Sequence, residues 1–313
     1  MNLHYIFFSF HLIMFWQILN KLKVLNLKGS KCLTQSPNFL GVSHLEILIL
    51  EDCTSLVEVH ESIGHLKKLV LLNLQGCKKL KNLPESISNL ESLETLNLSN
   101  CIKIDKLPKQ LGNMVALMEL LADGTTIKQL PSSFGLLKNL KIVSLSGCKE
   151  QSSKSWMSRF LSWISPKCRK PINLLPTSVS ELCSLRKLDL SGCNLFEDGI
   201  PIDFGSLPSL EELNLSRNNF RSLPQCIGRL PKLDILRLNG CTSLQSISEL
   251  PASLSTLYAS GCSSLQRLPN VPNQERLLAY FHLESCDSLA YDFRKSLLQV
   301  FSHSFSIGIS LIL

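Results

Sequence analysis

One leucine pattern recurs through most of this 313-residue chain. The motif L-x-x-L-x-L-x-x-C opens in its clearest form at Leu45, Leu69, Leu93, Leu140, Leu185 and Leu233. Weaker copies open at Leu22, Leu117, Leu210, Leu254 and Leu278. Successive copies begin 21 to 25 residues apart, except for one interval of 45 residues after Leu140. A nearly constant period of about 24 residues indicates a stack of repeated coils and not a globular domain.

Each copy predicts one short β-strand whose alternate leucines point inward, while the residues between them face solvent. Stacked coils then share an apolar core, which explains why about one residue in five is leucine. A Leu-Pro pair such as Leu83-Pro84 follows many strands, and the apolar spacing after it predicts a short helical or 3₁₀ turn. The predicted fold class is α/β: a leucine-rich-repeat solenoid, curved like a horseshoe, with a parallel sheet on the concave face and these turns on the convex face.

Most cysteines share one place in the repeat. Eight of the 12 lie three residues after the last strand leucine, at Cys53, Cys77, Cys101, Cys148, Cys193, Cys241, Cys262 and Cys286. Ser30, Thr125 and Asn218 take this place in the other copies, so small hydrogen-bond donors predict a ladder to carbonyls of neighbouring coils. Disulfides are the alternative, since strands lie about 4.8 Å apart. The exchange with Ser, Thr and Asn favours reduced thiols and a reducing compartment.

The long interval predicts an insertion in the array. The predicted segments are an apolar leading segment at 1–21, repeats at 22–148, the insertion at 149–171, repeats at 172–277, and a last repeat or the start of a further domain at 278–313. The insertion carries six basic residues and one acidic residue, which is +5 of the net charge of +7. The rest of the chain is close to neutral, which argues against a nucleic-acid partner.

Aromatic residues in the insertion follow a helical spacing. Trp156, Phe160 and Trp163 fall at i, i+4 and i+7. This predicts either a helix that packs its aromatic side chains on the solenoid or a contact element for a partner. A membrane surface would also suit aromatic residues with basic charge, although a protein partner is the prediction.

No motif of catalysis or cofactor binding occurs in the chain. It has no G-x-x-x-x-G-K, G-x-G-x-x-G or G-x-S-x-G sequence, and the cysteines outside the ladder have no C-x-x-C spacing. We therefore predict no enzymatic activity, no cofactor and no metal.

Three features resemble one family. The repeat L-x-x-L-x-L-x-x-C-x-x-L-x-x-L-P, the short copy LLADGTTIKQLPSSFGLLKNL and the insertion GCKEQSSKSWMSRFLSW are similar to plant intracellular immune receptors. This class, the TIR-NB-LRR disease resistance proteins, joins a Toll/interleukin-receptor domain, a nucleotide-binding domain and leucine-rich repeats. The resemblance covers the repeats alone and so implies a leucine-rich-repeat fragment. It also implies that residues after Leu278 begin the family's post-repeat domain.

The resemblance implies a protein-recognition module of plant disease resistance and innate immunity. Its concave surface would bind a pathogen effector or an autoinhibited nucleotide-binding domain in effector-triggered defence signalling. The residues between the second and third strand leucines form a column on that surface. The predicted contacts in the column are Asn73, Asn97, Asp189, Asn214, Arg237, Tyr258 and His282. Because Tyr and Arg are enriched in binding hot spots, the C-terminal coils are the predicted centre of contact.

Two alternatives remain open at this point. The chain could be a secreted or membrane-anchored receptor or inhibitor ectodomain, with the apolar start as signal or anchor and sequons at Asn97 and Asn214. A glycan at either asparagine would obstruct the predicted binding column. An inert truncated product is the other alternative. The predicted location is the cytoplasm, with the nucleus as a second compartment of the same class of receptor.

Overall fold

The computed structural model describes residues 21–148, 174–269 and 280–289, and the backbone of 310–312. The chain divides into two compact units, Met1–Val143 and Ser144–Leu313. Each unit consists of stacked coils with one three-residue strand per coil. The predicted leucine-rich-repeat solenoid, with a parallel sheet and short 3₁₀ turns, is confirmed within each unit.

The first unit pairs its strands in parallel and in chain order, so that each coil places its strand beside the preceding one. The strands are β1 Val24–Asn26, β2 Ile47–Ile49, β3 Leu71–Asn73, β4 Thr95–Asn97 and β5 Glu119–Leu121. Strand β6, Ile142–Ser144, spans the boundary between the units. The turns opposite the strands are 3₁₀ helices at Glu61–His65, Glu85–Asn89, Leu111–Asn113 and Ser132–Leu136.

The second unit repeats this arrangement, again with parallel pairing between consecutive strands. Its strands are β7 Lys187–Asp189, β8 Glu212–Asn214, β9 Ile235–Arg237, β10 Thr256–Tyr258, β11 Tyr280–His282 and β12 Ser310–Ile312. Its 3₁₀ helices are Thr177–Glu181, Glu197–Gly199, Ile202–Ser206 and Gln225–Arg229. Proline at the N-cap of most of these helices, as at Pro224, turns the chain away from the strand.

Burial confirms the predicted register of the strands. The middle residue of β2 to β5 is fully buried, as is the leucine directly after each of β2, β3 and β4, for example Leu48 and Leu50 at 0% exposure. The first and third residues of these strands are half-buried. Since a strand has a side-chain period of two, this pattern directs the predicted column toward solvent.

A left-handed residue precedes the ladder position in all eleven described coils. Seven of these residues are glycines, such as Gly76 at φ +73°, and the others are Asp52, Asn100, Arg217 and Ser285. In nine of these coils the backbone N–H of this residue donates to a carbonyl of the next coil, as from Gly76 to Ser99 O at 2.8 Å. The turn thus joins neighbouring coils through the backbone. The leucine periodicity did not reveal this position.

The predicted side-chain ladder is confirmed. Thiols of seven cysteines donate to a carbonyl of the preceding coil, as from Cys77 Sγ to Leu50 O at 3.1 Å and from Cys241 Sγ to Leu215 O at 3.3 Å. Asn218 makes the equivalent bond from Nδ2 to Leu190 O at 2.9 Å. The hydroxyl of Thr125 donates to Ala122 O within its own coil at 2.8 Å. The described cysteines are all free thiols, so within these ranges the disulfide alternative is wrong.

Burial makes the ladder thiols resistant to ionisation. It raises the pKa of Cys53 and Cys241 to about 11 and that of Cys262 to about 12. A thiolate has no proton to donate, so ionisation would also remove the hydrogen bond to the neighbouring coil.

We expect the free energy of unfolding to fall as the pH rises above about 9. In the window from there to about 11, unfolded thiols lose their protons while Cys53 and Cys241 keep theirs in the folded chain. The unfolded state then binds fewer protons, and stability must decrease with pH. Urea titrations across this range measure the slope. Cys241→Ser keeps a donor that cannot ionise, so its slope should be shallower, and an unchanged slope would contradict the prediction.

Arg217 offers a test of the left-handed turn. An arginine at φ +57° is strained, whereas glycine adopts this conformation freely. We expect Arg217→Gly to raise the free energy of unfolding by about 0.5 to 1 kcal/mol, after allowance for the greater entropy of glycine in the unfolded chain. Arg221→Gly is the matched control, because Arg221 lies outside the left-handed region, and it should lower stability. Equal effects in a denaturant titration would refute the role of the turn.

Candidate functional site

The candidate site is the solvent face of the sheet, where the structure places all seven predicted column residues at the last position of a strand. Asn73 and Asn97 lie side by side in the first unit, paired across β3 and β4. The other five lie in one row of the second unit, in the order Asp189, Asn214, Arg237, Tyr258, His282. All seven are half-buried. Their placement follows directly from the confirmed register.

The side chains of Asn73 and Asn97 form hydrogen bonds that stabilise the fold. The Oδ1 atom of each accepts a hydrogen bond from the backbone N–H two residues later, from Gln75 at 3.0 Å and from Ser99 at 3.0 Å. The amide group of Asn73 also donates to Glu51 Oε2 at 3.3 Å, and that of Asn97 donates to Gln75 Oε1 at 3.3 Å. Such side-chain to backbone bonds stabilise the turn that leaves the strand.

Asp189 and Asn214 have the same function in the second unit. Asp189 Oδ1 accepts from the Ser191 N–H at 2.8 Å, and Asn214 Oδ1 accepts from the Ser216 N–H at 3.1 Å. Asn214 Nδ2 donates to Asp189 Oδ2 at 2.8 Å, which joins the two coils. The four amide and carboxylate residues of the predicted site therefore have a structural explanation.

We expect Asn97→Ala to lower the free energy of unfolding by about 1 kcal/mol, because the N–H of Ser99 loses its acceptor. Asn97→Asp keeps an oxygen in place and should retain most of that stability. Chemical denaturation of both variants measures the difference. If alanine and aspartate had the same effect, the side chain would have no part in the turn.

Arg237, Tyr258 and His282 form a different kind of cluster, which we call the cation–aromatic stack. The Arg237 guanidinium carbon lies 4.5 Å from the centre of the Tyr258 ring. The Tyr258 and His282 rings are stacked, with centroids 4.4 Å apart and planes 10° from parallel. Cation–π contact and ring stacking each restrict these side chains. Three neighbouring coils thus hold one ordered, half-exposed group on the sheet face.

The polar atoms of the stack remain available. Within the described ranges, the Arg237 guanidinium, the Tyr258 hydroxyl and the His282 ring make no hydrogen bond to another protein group. This contrasts with Asn214 and Asp189, whose side chains are bonded to each other and to the backbone. The stack combines fixed geometry with unused hydrogen-bonding capacity, which suits recognition of another molecule.

A second row of side chains adjoins the stack. Ile235, Thr256 and Tyr280 are the first residues of the same three strands and are paired in register. Tyr280 is 44% exposed, and the other two are half-buried. The sequence prediction used only the position between the second and third strand leucines and missed this row. The position between the first two leucines carries the signal that would have found it.

The predicted insertion residues Trp156, Phe160 and Trp163 lie outside the described residues, so the role of the insertion stays a prediction. In the part of the chain that the structure describes, no group of three or more His, Cys, Asp or Glu side chains could hold a metal ion. Over the same ranges, no helix has the length and apolar character that a bilayer crossing requires.

Family models match most of the repeat array. A model described as a leucine-rich repeat region matches residues 21–164, and two further leucine-rich-repeat models match 184–207 and 208–252. The TMV resistance protein N of Nicotiana glutinosa is 31% identical over 292 residues, which is 77% of this chain and 25% of that protein. Disease resistance protein RPS4B of Arabidopsis thaliana is 36% identical over 160 residues, or 46% of this chain and 12% of the relative. The predicted resemblance to TIR-NB-LRR disease resistance proteins is confirmed.

A solved structure also supports the fold. The leucine-rich repeat domain of the type III effector XopL is 26% identical, with a TM-score of 0.60 and coverage of 79% of each chain. The shared architecture is the stack of leucine coils.

Proposed function

This chain belongs to the leucine-rich-repeat proteins, and we propose that it is a protein-recognition module of plant immunity. In this proposal the sheet face of the coils that contain β9 to β11 binds either a pathogen effector or the nucleotide-binding domain of an immune receptor. The chain spans a quarter or less of the length of the two relatives described above, so these partners come from the proposal alone.

The cation–aromatic stack is the observation that carries the proposal. Tyr and Arg are enriched in binding hot spots, and here the contacts within the stack already restrict both side chains. The fold makes no use of their polar atoms within the described residues, whereas it uses those of Asn73, Asn97, Asp189 and Asn214. A protein partner is the ligand class that leucine-rich-repeat scaffolds serve, and we propose no catalytic activity for this chain.

A reducing compartment, the cytoplasm or the nucleus, is part of the proposal. The ladder needs reduced thiols, since each one donates to a carbonyl of the preceding coil. The secreted alternative would place glycans on Asn97 and Asn214. Both asparagine side chains are half-buried and bonded to backbone and side-chain groups, and a glycan would break these bonds. The observations therefore favour the intracellular proposal.

Co-purification from leaf tissue tests the proposal. The chain would be co-expressed with the nucleotide-binding domain of a TIR-NB-LRR receptor and, separately, with a panel of pathogen effectors. We expect at least one to co-purify, and Arg237→Ala with Tyr258→Ala to lower the bound amount about tenfold.

Gln225→Ala with Arg229→Ala is the matched control, because both side chains are exposed on the 3₁₀ helix away from the sheet face. This variant should retain the partner. Failure to capture either class, or equal retention by the two double variants, would contradict the proposed function.

A further inference from the structure

We infer that the cation–aromatic stack binds one carboxylate side chain, an aspartate or glutamate set among apolar residues of the partner protein. This inference rests on the proposed function and assigns the chemistry of its contact. Three observations support it: the unpaired guanidinium of Arg237, its fixed position, and the charges and apolar groups around it.

Arg237 differs from the other basic residues on this part of the sheet. Lys187 forms an ion pair with Glu212 at 2.7 Å, and Arg186 approaches Glu211 at 3.9 Å. Within the described residues, the Arg237 guanidinium forms no ion pair and no hydrogen bond, and it lies over the face of Tyr258. A guanidinium carries five N–H donors in a planar fork that matches a carboxylate in bidentate geometry. A planar carboxylate is therefore the group that would best pair with this guanidinium.

The position of Arg237 is fixed before any ligand arrives. Tyr258 lies between the guanidinium and the His282 ring, so Tyr258 is held by contacts from both sides. A preorganised group loses less side-chain entropy when it binds, which strengthens the contact. Half-burial among neighbouring strands also lowers the local dielectric constant, so a charge-assisted hydrogen bond here is stronger than at a fully exposed site.

The surroundings limit how acidic the ligand can be. Asp234 precedes β9 and Glu284 follows β11, and both carboxylates are exposed. They would repel a polyacidic segment or a nucleic-acid backbone, whereas a single carboxylate can reach Arg237 at the centre. Ile235 and Tyr280 provide apolar surface beside the stack, which suits apolar neighbours of that carboxylate.

Short peptides test this chemistry directly on the full chain. The probe is acetyl-Gly-Leu-Glu-Leu-Gly-amide, compared with the same peptide carrying Gln or phosphoserine in place of Glu, in a titration followed by NMR chemical shifts. We expect the Glu peptide to bind about tenfold more tightly than the Gln peptide, with shifts centred on Tyr258 and His282. Equal binding of the Glu and Gln peptides, or tighter binding of the phosphoserine peptide, would overturn the carboxylate assignment.

Variants of Arg237 locate the effect. Arg237→Ala should remove the preference for Glu over Gln, and Arg237→Lys should retain only part of it because an ammonium lacks the planar fork. Arg229→Ala makes the same change of charge on the 3₁₀ helix and should bind as wild type does. An Arg237→Ala chain that kept the preference would overturn the inference, provided that circular dichroism shows the same fold.

The two proposals can fail separately. If capture of a partner depends on Tyr258 and Arg237 but the chain binds the Glu and Gln peptides equally, the recognition function stands and the carboxylate assignment is wrong. If neither partner capture nor peptide binding depends on the stack, both are wrong.

Discussion

Hydrogen bonds between neighbouring coils at the exit of each strand fix the arrangement of everything else in the two units. A left-handed residue such as Gly76 directs its backbone N–H to the carbonyl of Ser99 in the next coil, and Cys77 directs its thiol to the carbonyl of Leu50 in the preceding one. These two bonds set the register between coils. The register in turn places one strand residue in the core and its two neighbours at the solvent face.

The same bonds connect the redox state of the chain to its fold. A disulfide between neighbouring rungs would remove two thiol donors, and carbonyls such as Leu50 O would keep only the backbone N–H of Cys53 in their own coil. Each lost hydrogen bond costs about 0.5 to 1.5 kcal/mol. Burial opposes this oxidation, because it raises the pKa of thiols such as Cys241 and keeps the reactive thiolate scarce. Asn218 performs the same function at its rung without any redox chemistry. The ladder therefore needs a donor, and a thiol serves only while it is reduced.

The repeat period was sufficient to predict the coils, the buried leucines and the ladder, because each depends only on spacing along the chain. The left-handed position was missed because its requirement concerns backbone conformation, and Arg217 and Ser285 occupy it without any glycine signal. The strand register places the column at the sheet face, and the role of the column in binding stays a prediction. Residue type alone directed that prediction to the C-terminal coils. It did not show that the fold engages Asn97, since the bond from Ser99 N–H to Asn97 appears only once the turn is formed.

Asn239 shows how the fold allows an aromatic residue in this column. At Asn97 and Asn214 the column side chain itself accepts the N–H two residues later. Tyr258 cannot accept in that way, and the N–H of Ser260 bonds instead to Asn239 Oδ1 of the preceding coil at 2.9 Å. The turn after β10 is thereby satisfied without its own column residue. Residue 258 therefore does not need to accept that hydrogen bond, so an aromatic side chain can occupy the position. The Tyr258 ring can then restrict Arg237 in the position where it would meet a ligand.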